Sequence, residues 1–477
     1  MTLNSIGQTI VPAQDPDIIL YPAPTWDIEN TGCDIREGFA IGQKRGVMVY
    51  DGSDPYIQWF DGNGNPTGIA LLSGILDPDV VMTSDGSQAF IVYELNGDIF
   101  LDFYLWNGSY QLNGQMNLGL GNNPNIDISL HNYIAITWVD DLGNIKSVVG
   151  DFSSGSLNLS ATSDITNNEE DRTPDVAIFE LQGNIKVKYT YVSFDKKAKK
   201  EVLKVKQADY LDVFNNSVTS NPTLLRTIYL SYESFGRPRI ATPPFIDASP
   251  HNINDYMIVI DYKFFDGQSP DWKILGYNTY NNNLTTNILL NPNIVSINNS
   301  KPVVTYAGDF IVISWTSDIY QNGALANEVV SRKLYNYGSL MNNTISIVNN
   351  FIQEYQYTSS IAGRFTEGEF NLHHYVNEGW GNMEYKVTNA ASTVLRKNTH
   401  TTSPSISFNI SSDGILELST KIQNYRLSIY NILGQLLISK KALNNSSQLN
   451  INGLPTGNYI IRVESTEIAE TFKFIKN

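Results

Sequence analysis

The chain has 477 residues, and its 48 acidic and 32 basic residues give a net charge of −16, which opposes non-specific binding to nucleic acid or to anionic lipid. Its single cysteine, Cys33, excludes an intrachain disulfide and a cysteine-based metal site. No apolar run reaches the roughly eighteen residues of a transmembrane helix. A chain of this length predicts two or more domains, or one large repeat domain with an appendage.

The first nine residues, MTLNSIGQT, resemble the end of a secretory signal peptide whose charged and apolar parts are missing. Ser5 and Gly7 stand where a signal peptidase reads small residues, which would make Gln8 the mature N-terminus. We therefore expect residues 1–9 to be the remnant of an export signal. The alternative is an ordinary disordered N-terminus.

A degenerate repeat runs between about residues 30 and 400. In each unit a proline is followed two positions later by a β-branched residue. The prolines are Pro78, Pro124, Pro174, Pro238 and Pro302, and the β-branched residues are Val80, Ile126, Val176, Ile240 and Val304. A β-branched residue at a fixed place in every unit predicts the packed face of a short strand that begins after the proline.

A longer strand bracketed by aromatic residues follows each short strand, as in residues 133–138 (YIAITW) and 310–315 (FIVISW). A turn, a third strand and a weaker fourth strand complete several units. Four antiparallel strands in units of roughly 45 to 60 residues are typical of β-propeller blades. Almost no helical periodicity is present, so an α/β fold is not expected.

The unit count predicts an all-β chain with a propeller of about seven four-stranded blades over residues 10–388. Five units carry the proline, an earlier one surrounds residues 46–68, and a later one surrounds residues 359–387. Six or eight blades remain open, because residues 15–22 (DPDIILYP) are either a blade strand or the strand that closes the ring. Residues 389–404 are polar and predict a linker.

The last segment, residues 405–477, alternates apolar and polar residues in short runs and predicts a small immunoglobulin-like β-sandwich. Three ordered blocks, YNILGQ, LPTGNY and TFKFIKN, resemble the C-terminal (type A) sorting domain of the type IX secretion system of the Bacteroidetes. The matching positions are Tyr430, Asn431, Gly434, Gln435, Leu454, Gly457, Tyr459, Lys473 and Lys476. The alternative is a β-domain, such as a carbohydrate-binding module, that merely ends the chain.

This resemblance implies that the type IX secretion machinery carries the protein across the outer membrane and removes the sorting domain. The protein would then be released into the medium or anchored at the cell surface.

Motifs for catalysis are weak. The predicted propeller resembles sialidases, which carry a repeated Ser-x-Asp-x-Gly-x-Thr-Trp turn. In the most similar stretch of this chain, Asp85 and Gly86 are adjacent rather than separated. The carboxylate runs Asp140–Asp141 and Glu169–Asp171 are interpreted as solvated turn residues rather than as a glycosidase pair. No catalytic set emerges, and no cofactor is expected.

Motifs for metals and polyanions are equally weak. His373 and His374 are adjacent, so on a strand their side chains diverge and do not share a metal. Residues 61–66 (DGNGNP) fit a hairpin turn better than a calcium loop. The lysine cluster of residues 196–204 is interpreted as a solvated hairpin tip.

One candidate site comes from the repeat itself. The residues directly after the prolines are Asp79, Asn125, Asp175, Arg239 and Val303. If the strand after each proline is innermost, these residues point toward a central channel or its rim. The four polar ones could bind a sugar, a peptide or a cation at the axial mouth. The alternative is that they hydrogen-bond strand edges or channel water.

We therefore favour a secreted or cell-surface binding module, without enzyme activity, whose ligand is a glycan or a protein. A secreted hydrolase or lyase acting on polysaccharide, and a structural adhesive protein of the surface layer, are the rival hypotheses.

Overall fold

The computed structural model describes most of the chain between residues 11 and 476. The described residues are 11–12, 18–22, 31–37, 44–50, 55–60, 66–107, 109–152, 156–167, 170–181, 183–215, 222–229, 234–243, 253–265, 270–280, 283–289, 299–307, 310–321, 324–335, 346–347, 355–363, 369–377, 382–389, 406–410, 415–420, 425–431, 436–442, 446–455, 457–464 and 469–476. The chain divides into two compact units, Gln8–Ser392 and one that contains Thr393–Asn477.

The first unit is built from β-strands and one five-residue helix among its described residues. The strands are β1 Val11–Pro12, β2 Ile18–Pro22, β3 Thr31–Glu37, β4 Lys44–Tyr50, β5 Tyr56–Phe60, β6 Pro66–Leu71, β7 Leu76–Met82, β8 Gln88–Leu95, β9 Asp98–Trp106, β10 Tyr110–Leu120, β11 Asn122–Ile128, β12 Tyr133–Val139, β13 Ile145–Asp151, β14 Asn158–Leu159, β15 Ser163–Asp164, β16 Asp171–Leu181, β17 Asn184–Asp195 and β18 Lys200–Asp209. After the helix α1 Tyr210–Phe214 come β19 Thr223–Ile228, β20 Ser234–Phe235, β21 Arg239–Ala241, β22 Tyr256–Phe265, β23 Pro270–Tyr280, β24 Asn283–Leu289, β25 Asn299–Ala307, β26 Phe310–Gln321, β27 Ala324–Tyr335, β28 Ser346–Ile347, β29 Tyr355–Gly363, β30 Glu369–Asn377 and β31 Asn382–Asn389.

These strands form seven antiparallel sheets, each made mostly of consecutive strands. Sheets 1 to 6 contain β3–β6, β7–β10, β11–β15, β16–β19, β20–β24 and β25–β28, and sheet 7 contains β29–β31. The N-terminal strands β1 and β2 complete sheet 7 by pairing with β31. The segment Ile18–Pro22 is therefore a strand of sheet 7.

The first strands of successive sheets lie against one another: β3 contacts β7, β7 contacts β11, β11 contacts β16, and the series continues until β29 contacts β3. The sheets thus follow one another around an axis that the first strands surround. Apolar clusters fill the spaces between neighbouring sheets, for example Val92 and Leu101 of sheet 2 against Ile126 and Ile136 of sheet 3. Strands covered on both faces explain the near-continuous apolar runs in the sequence.

The sequence reading placed each proline before its strand, and this is wrong in four of the five units. Pro78, Pro124, Pro174 and Pro302 lie inside β7, β11, β16 and β25, where the pairing with the second strand shifts register. Proline lacks an N–H group, so it is tolerated where the ladder of hydrogen bonds is interrupted. In sheet 5 the same interruption separates β20 from β21 around Pro238.

The residue before the proline is left-handed in three sheets. Asp77 has φ 47°, Asn123 has φ 52° and Thr173 has φ 49°. Asparagine and aspartate tolerate this region, whereas a β-branched threonine is strained there. The β-branched positions two residues after each proline are buried as predicted, with exposed fractions between 1% for Val80 and 8% for Val304.

The second unit holds strands β32 Ile406–Ile410, β33 Ile415–Thr420, β34 Tyr425–Asn431, β35 Leu436–Ala442, β36 Ser446–Asn450, β37 Gly457–Glu464 and β38 Ala469–Lys476. They form one sheet of β32, β33 and β36 and another of β35, β34, β37 and β38. Leu416 and Leu418 of the first sheet pack with Leu427, Ile429 and Ile461 of the second. The two sheets therefore share one apolar core.

No helix in the described part of the chain is long and apolar enough to cross a membrane.

Candidate functional site

The site lies where the bulged first strands of sheets 2 to 5 meet at the axis. We use the name axial cluster for six residues of these strands and the turns beside them: Asp77, Asp79, Asn125, Asp175, Arg237 and Arg239. Each flanks one of the repeated prolines. The register shift at the proline leaves backbone N–H and C=O groups for side chains to bind.

Asp79 links sheet 2 to sheet 3. Its Oδ1 atom accepts a hydrogen bond from the N–H of Val80 at 2.9 Å, and its Oδ2 atom accepts one from the N–H of Ile126 at 3.1 Å. Both carboxylate oxygens are therefore bound to backbone on either side of the gap between the sheets.

Asn125 and Asp175 continue the series. The fully buried Asn125 donates from Nδ2 to the carbonyl of Pro174 in sheet 4 at 2.7 Å. Asp175 accepts at Oδ2 the N–H of Ile240 in sheet 5, also at 2.7 Å. Each of these polar residues thus ties its own first strand to the first strand of the next sheet.

Two arginines converge on the same asparagine. Nη2 of Arg237 and Nη1 of Arg239 both donate to Oδ1 of Asn125, at 3.0 and 2.9 Å. Arg237 also lies 3.8 Å from Oδ1 of Asp77, and Arg239 lies 3.8 Å from Oδ1 of Asp175. The amide of Asn125 therefore accepts from sheet 5 and donates to sheet 4 at once.

Burial dominates the electrostatics of the cluster. It raises the pKa of Asp79 and raises the pKa of Asp175 to about 6, although Arg239 opposes both shifts. Burial, together with the like charge of Arg239, lowers the pKa of Arg237 to about 10. Asp79, Asp175 and Arg237 thus lie in a poorly solvated environment, in which added charge must be matched by a partner.

The structure brings together the four polar residues that the repeat singled out, but it corrects their orientation. Asp79, Asn125 and Asp175 bind the neighbouring sheet, and none of them projects freely into a channel, because the bulges expose backbone groups that need partners. The fifth residue, Val303, is 5% exposed and packs as an ordinary core residue.

Sequence reasoning missed two members, Asp77 and Arg237. Both directly precede a proline, in the symmetrical tripeptides Asp-Pro-Asp and Arg-Pro-Arg. A charged residue on each side of the proline was the signal that could have found them.

Two carboxylates interpreted as solvated are not. Asp140 is 13% exposed, because its Oδ1 atom accepts the N–H groups of Leu142 and Asn144 within its own turn. Asp171 is 4% exposed at the start of β16. The lysine cluster was interpreted as a solvated hairpin tip, and residues 196–199 do form an exposed turn between β17 and β18.

Asp85 also holds a turn rather than a reactive position. Its Oδ1 atom accepts hydrogen bonds from the hydroxyl of Thr83 at 2.7 Å and from the N–H of Ser87 at 2.9 Å.

The strand β30 contains His373 and His374. No group of three or more His, Cys, Asp or Glu residues suited to a metal ion occurs in the described ranges. Residues 61–65 of the hairpin DGNGNP lie outside them.

A serine, a histidine and a glutamate meet between sheets 3 and 4, but not in a nucleophilic arrangement. The buried Glu180 accepts the hydroxyl of Ser129 at 3.0 Å, and its other oxygen lies 2.6 Å from Nδ1 of His131. Activation of a serine needs the histidine next to the hydroxyl. Here the carboxylate stands between them and joins the two sheets.

The sorting residues fall in the second unit. Tyr430 and Asn431 end β34, Gly457 and Tyr459 lie in β37, and Lys473 and Lys476 lie in β38. Gly434 and Gln435 lie outside the described residues. Leu454 packs against the core, and the hydroxyl of the buried Tyr459 donates to the carbonyl of Pro455 at 2.6 Å.

Comparison with known families decides the role of this unit. Residues 407–477 match the family model described as a secretion system C-terminal sorting domain. The tail is a sorting domain. Proteins that carry one are secreted and either attached to the cell surface or released, so the chain is an exported protein handled by the type IX secretion machinery.

Solved structures similar to this chain include β-propellers. The β-propeller domain of the trilobed protease from Pyrococcus furiosus has 6% identity and a TM-score of 0.43, and the match covers 76% of this chain and 94% of that one. Trypanosoma rangeli sialidase has 8% identity and a TM-score of 0.40, with 87% and 86% covered. A protein of unknown function from Dyadobacter fermentans has 10% identity and a TM-score of 0.42, with 80% and 99% covered. No curated protein matches the chain.

Proposed function

We propose that this exported protein is a seven-bladed β-propeller that binds a carboxylate-bearing ligand, presented by a glycan or a protein, at the axial cluster. Its blades are sheets 1 to 7, residues 10–388 form the propeller, and residues 405–477 form an immunoglobulin-like sorting sandwich after the linker 389–404.

The observation that carries the proposal is the unfinished bonding of Arg239. Its Nη1 atom donates to Asn125 and lies near Asp175, and these contacts anchor one corner of the guanidinium group. Its Nε and Nη2 groups make no hydrogen bond within the described part of the chain, and the side chain is 20% exposed.

The free edge of Arg239 has a definite chemical preference. Nε and Nη2 lie side by side on one edge of the guanidinium plane, and such an edge binds a carboxylate through two parallel hydrogen bonds. Because Asn125 and Asp175 already hold the group in place, little side-chain entropy would be lost on binding.

The surrounding charges set the conditions under which binding is expected. Asp79 and Asp175 are bound to backbone N–H groups and compete only weakly for the free edge of Arg239. The net charge of −16 repels an anion at long range. At about 0.15 M salt the Debye length is about 8 Å, so the short-range contacts with Arg239 prevail over this repulsion.

Binding of the full chain to an array of neutral glycans, uronic-acid glycans and acidic peptides tests the proposal. The class of the hits distinguishes a glycan from a protein ligand. Affinities of the hits are then measured for Arg239→Lys, which keeps the charge but loses the two-bonded edge. We expect a loss of at least about tenfold.

The matched control is Arg426→Lys on β34 of the sorting domain, where the arginine is exposed. Its affinities should equal those of the wild type. Hits that are all neutral, or that bind Arg239→Lys as tightly as the wild type, would contradict the proposal. Incubating each glycan hit with the protein and looking for shortened products tests the rival hydrolase hypothesis, which predicts release.

A further inference from the structure

The outer strand of sheet 2 is unusual among the described outer strands. Strand β10 has eleven residues, whereas β6, β19 and β24, at the same place in sheets 1, 4 and 5, have six or seven. It pairs with β9 on one side only. Its other side therefore presents backbone N–H and C=O groups over much of its length, although the carbonyl of Leu120 accepts the indole N–H of Trp138 at 3.2 Å and the N–H of Gly119 donates to Oδ1 of Asn117 at 2.8 Å.

This edge lacks two of the usual protections against pairing, charged residues and proline, although two register shifts interrupt its pairing with β9. The sequence of β10, YQLNGQMNLGL, contains no charged residue and no proline. Leu112, Met116 and Leu120 are 54%, 39% and 59% exposed. Exposed edge strands usually carry charges or prolines that prevent association. A long, uncharged edge with exposed apolar side chains is instead suited to receive another strand.

The three exposed apolar residues are spaced symmetrically. Leu112 and Leu120 stand four residues on either side of Met116. Leu112 pairs with Tyr104 and Leu120 pairs with Asp98, which places both on one face of the sheet, while Met116 pairs with Leu101 and lies on the other. The two register shifts, at Leu112/Gly114 and Asn117/Gly119, also lie on opposite sides of the centre.

We propose that two copies of this chain pair antiparallel through β10, with a two-fold axis at Met116. Leu112 would then lie opposite Leu120 of the partner subunit on one face, and Met116 would lie opposite Met116 of the partner subunit on the other face. A two-fold contact requires a surface that is complementary to itself, and this strand meets that requirement.

Electrostatics favours this strand over other contact surfaces. Two chains that each carry a net charge of −16 repel one another. Pairing through β10 places no like charges directly opposite one another, which would destabilise a strand pair. Within the described residues each chain has one such strand, so the contact closes at a dimer.

Sedimentation of the full chain over a range of concentrations tests the proposal. The wild type should form dimers, and Met116→Lys and Leu112→Lys should each raise the dimer dissociation constant by at least about tenfold, because a buried lysine would face the partner. The control is Leu224→Lys on the outer strand β19, where the leucine is 50% exposed. It should leave the dimer intact.

Cross-linking adds a measurement that does not depend on a disruptive lysine. In a Cys33→Ser background, Met116→Cys should oxidise to a covalent dimer, because directly opposed residues of antiparallel strands lie at disulfide distance. Leu224→Cys should not. A wild type that stays monomeric at about 100 μM, higher oligomers instead of dimers, or equal cross-linking by both cysteines would each overturn the proposal.

Discussion

The first strands of sheets 2 to 5 and of sheet 6 share an interruption at a proline, but the residue after the proline differs. Each has a proline at an interruption of its first strand. In sheets 2 to 5 the next residue is Asp79, Asn125, Asp175 or Arg239, and it bonds across to another sheet. In sheet 6 it is Val303, which is simply buried.

The comparison shows that stability alone does not require polar residues at this position. Burying a valine contributes about 1.5–3 kcal/mol, whereas a hydrogen bond contributes a net 0.5–1.5 kcal/mol. The polar side chains of sheets 2 to 5 have a different role, because they hold Arg237 and Arg239 in position near the axis. Sheets 2 to 5 are therefore the ones for which we propose a binding role.

The largest effect is expected from Asn125→Leu. The change removes a hydrogen-bond acceptor from Arg237 and Arg239 and the donor to the Pro174 carbonyl, while Asp77 and Asp175 remain near the arginines. Hydrogen bonds to charged groups contribute about 1.5–3 kcal/mol each, so we expect a loss of about 3–5 kcal/mol in the free energy of unfolding, measured by urea denaturation.

The reciprocal change, Val303→Asn, serves as the control in the apolar sheet. It buries an amide without partners and should cost about 1–3 kcal/mol. If Asn125→Leu costs less than Val303→Asn, the polar links are not the structural contacts that we describe.

Changing Asp175 to Asn tests how the buried carboxyl group of sheet 4 makes stability depend on pH. Because burial raises the pKa of Asp175 to about 6, the folded chain holds this proton more tightly than the unfolded chain. Protonation therefore favours folding: the stabilising contribution is complete below about pH 4 and is lost as the pH rises through 6.

The expected result is a difference in pH dependence. Between pH 4 and 7 the free energy of unfolding of the wild type should fall, relative to that of Asp175→Asn, by on the order of 2 kcal/mol. Urea titrations of both proteins at each pH measure it. Parallel pH profiles would show that Asp175 keeps an ordinary pKa.

The smallest effect concerns the strained residue before Pro174. Thr173 has φ 49°, and its Oγ1 atom is buried without a hydrogen-bond partner in the structure. Sheet 3 uses Asn123 at the equivalent position, with φ 52°. Because asparagine tolerates this conformation, Thr173→Asn should stabilise the protein by about 1 kcal/mol, seen as a rise in Tm.

The opposite replacement, Asn123→Thr, tests the same reasoning in reverse and should lower Tm. Equal Tm values for both variants and the wild type would show that the left-handed residues carry no strain.

Sequence periodicity was sufficient to predict the repeated strands and the four polar residues that follow the prolines. The aromatic-bracketed runs became β12 and β26, and Val80 and its equivalents are buried because their spacing from the proline fixes which face of the pleat they occupy. The tail was recognisable from its ordered blocks, since these strands and turns are contiguous in sequence. Patterns of this kind can be interpreted from the sequence because they depend only on residues that are close together in the chain.

What only the tertiary structure decided is where the side chains found their partners. Apart from the Asn123 carbonyl in its own strand, the partners of Asn125 lie in sheets 4 and 5, 49 to 114 residues away, and no local pattern encodes such a distance. The same holds for β2 on β31 and for the open edge of β10, because pairing depends on which strands the ring brings together. Sequence thus determined the units and their polar positions. The packing of neighbouring sheets determined which of those positions became links between sheets and which, like Arg239, kept bonding groups without a partner among the described residues.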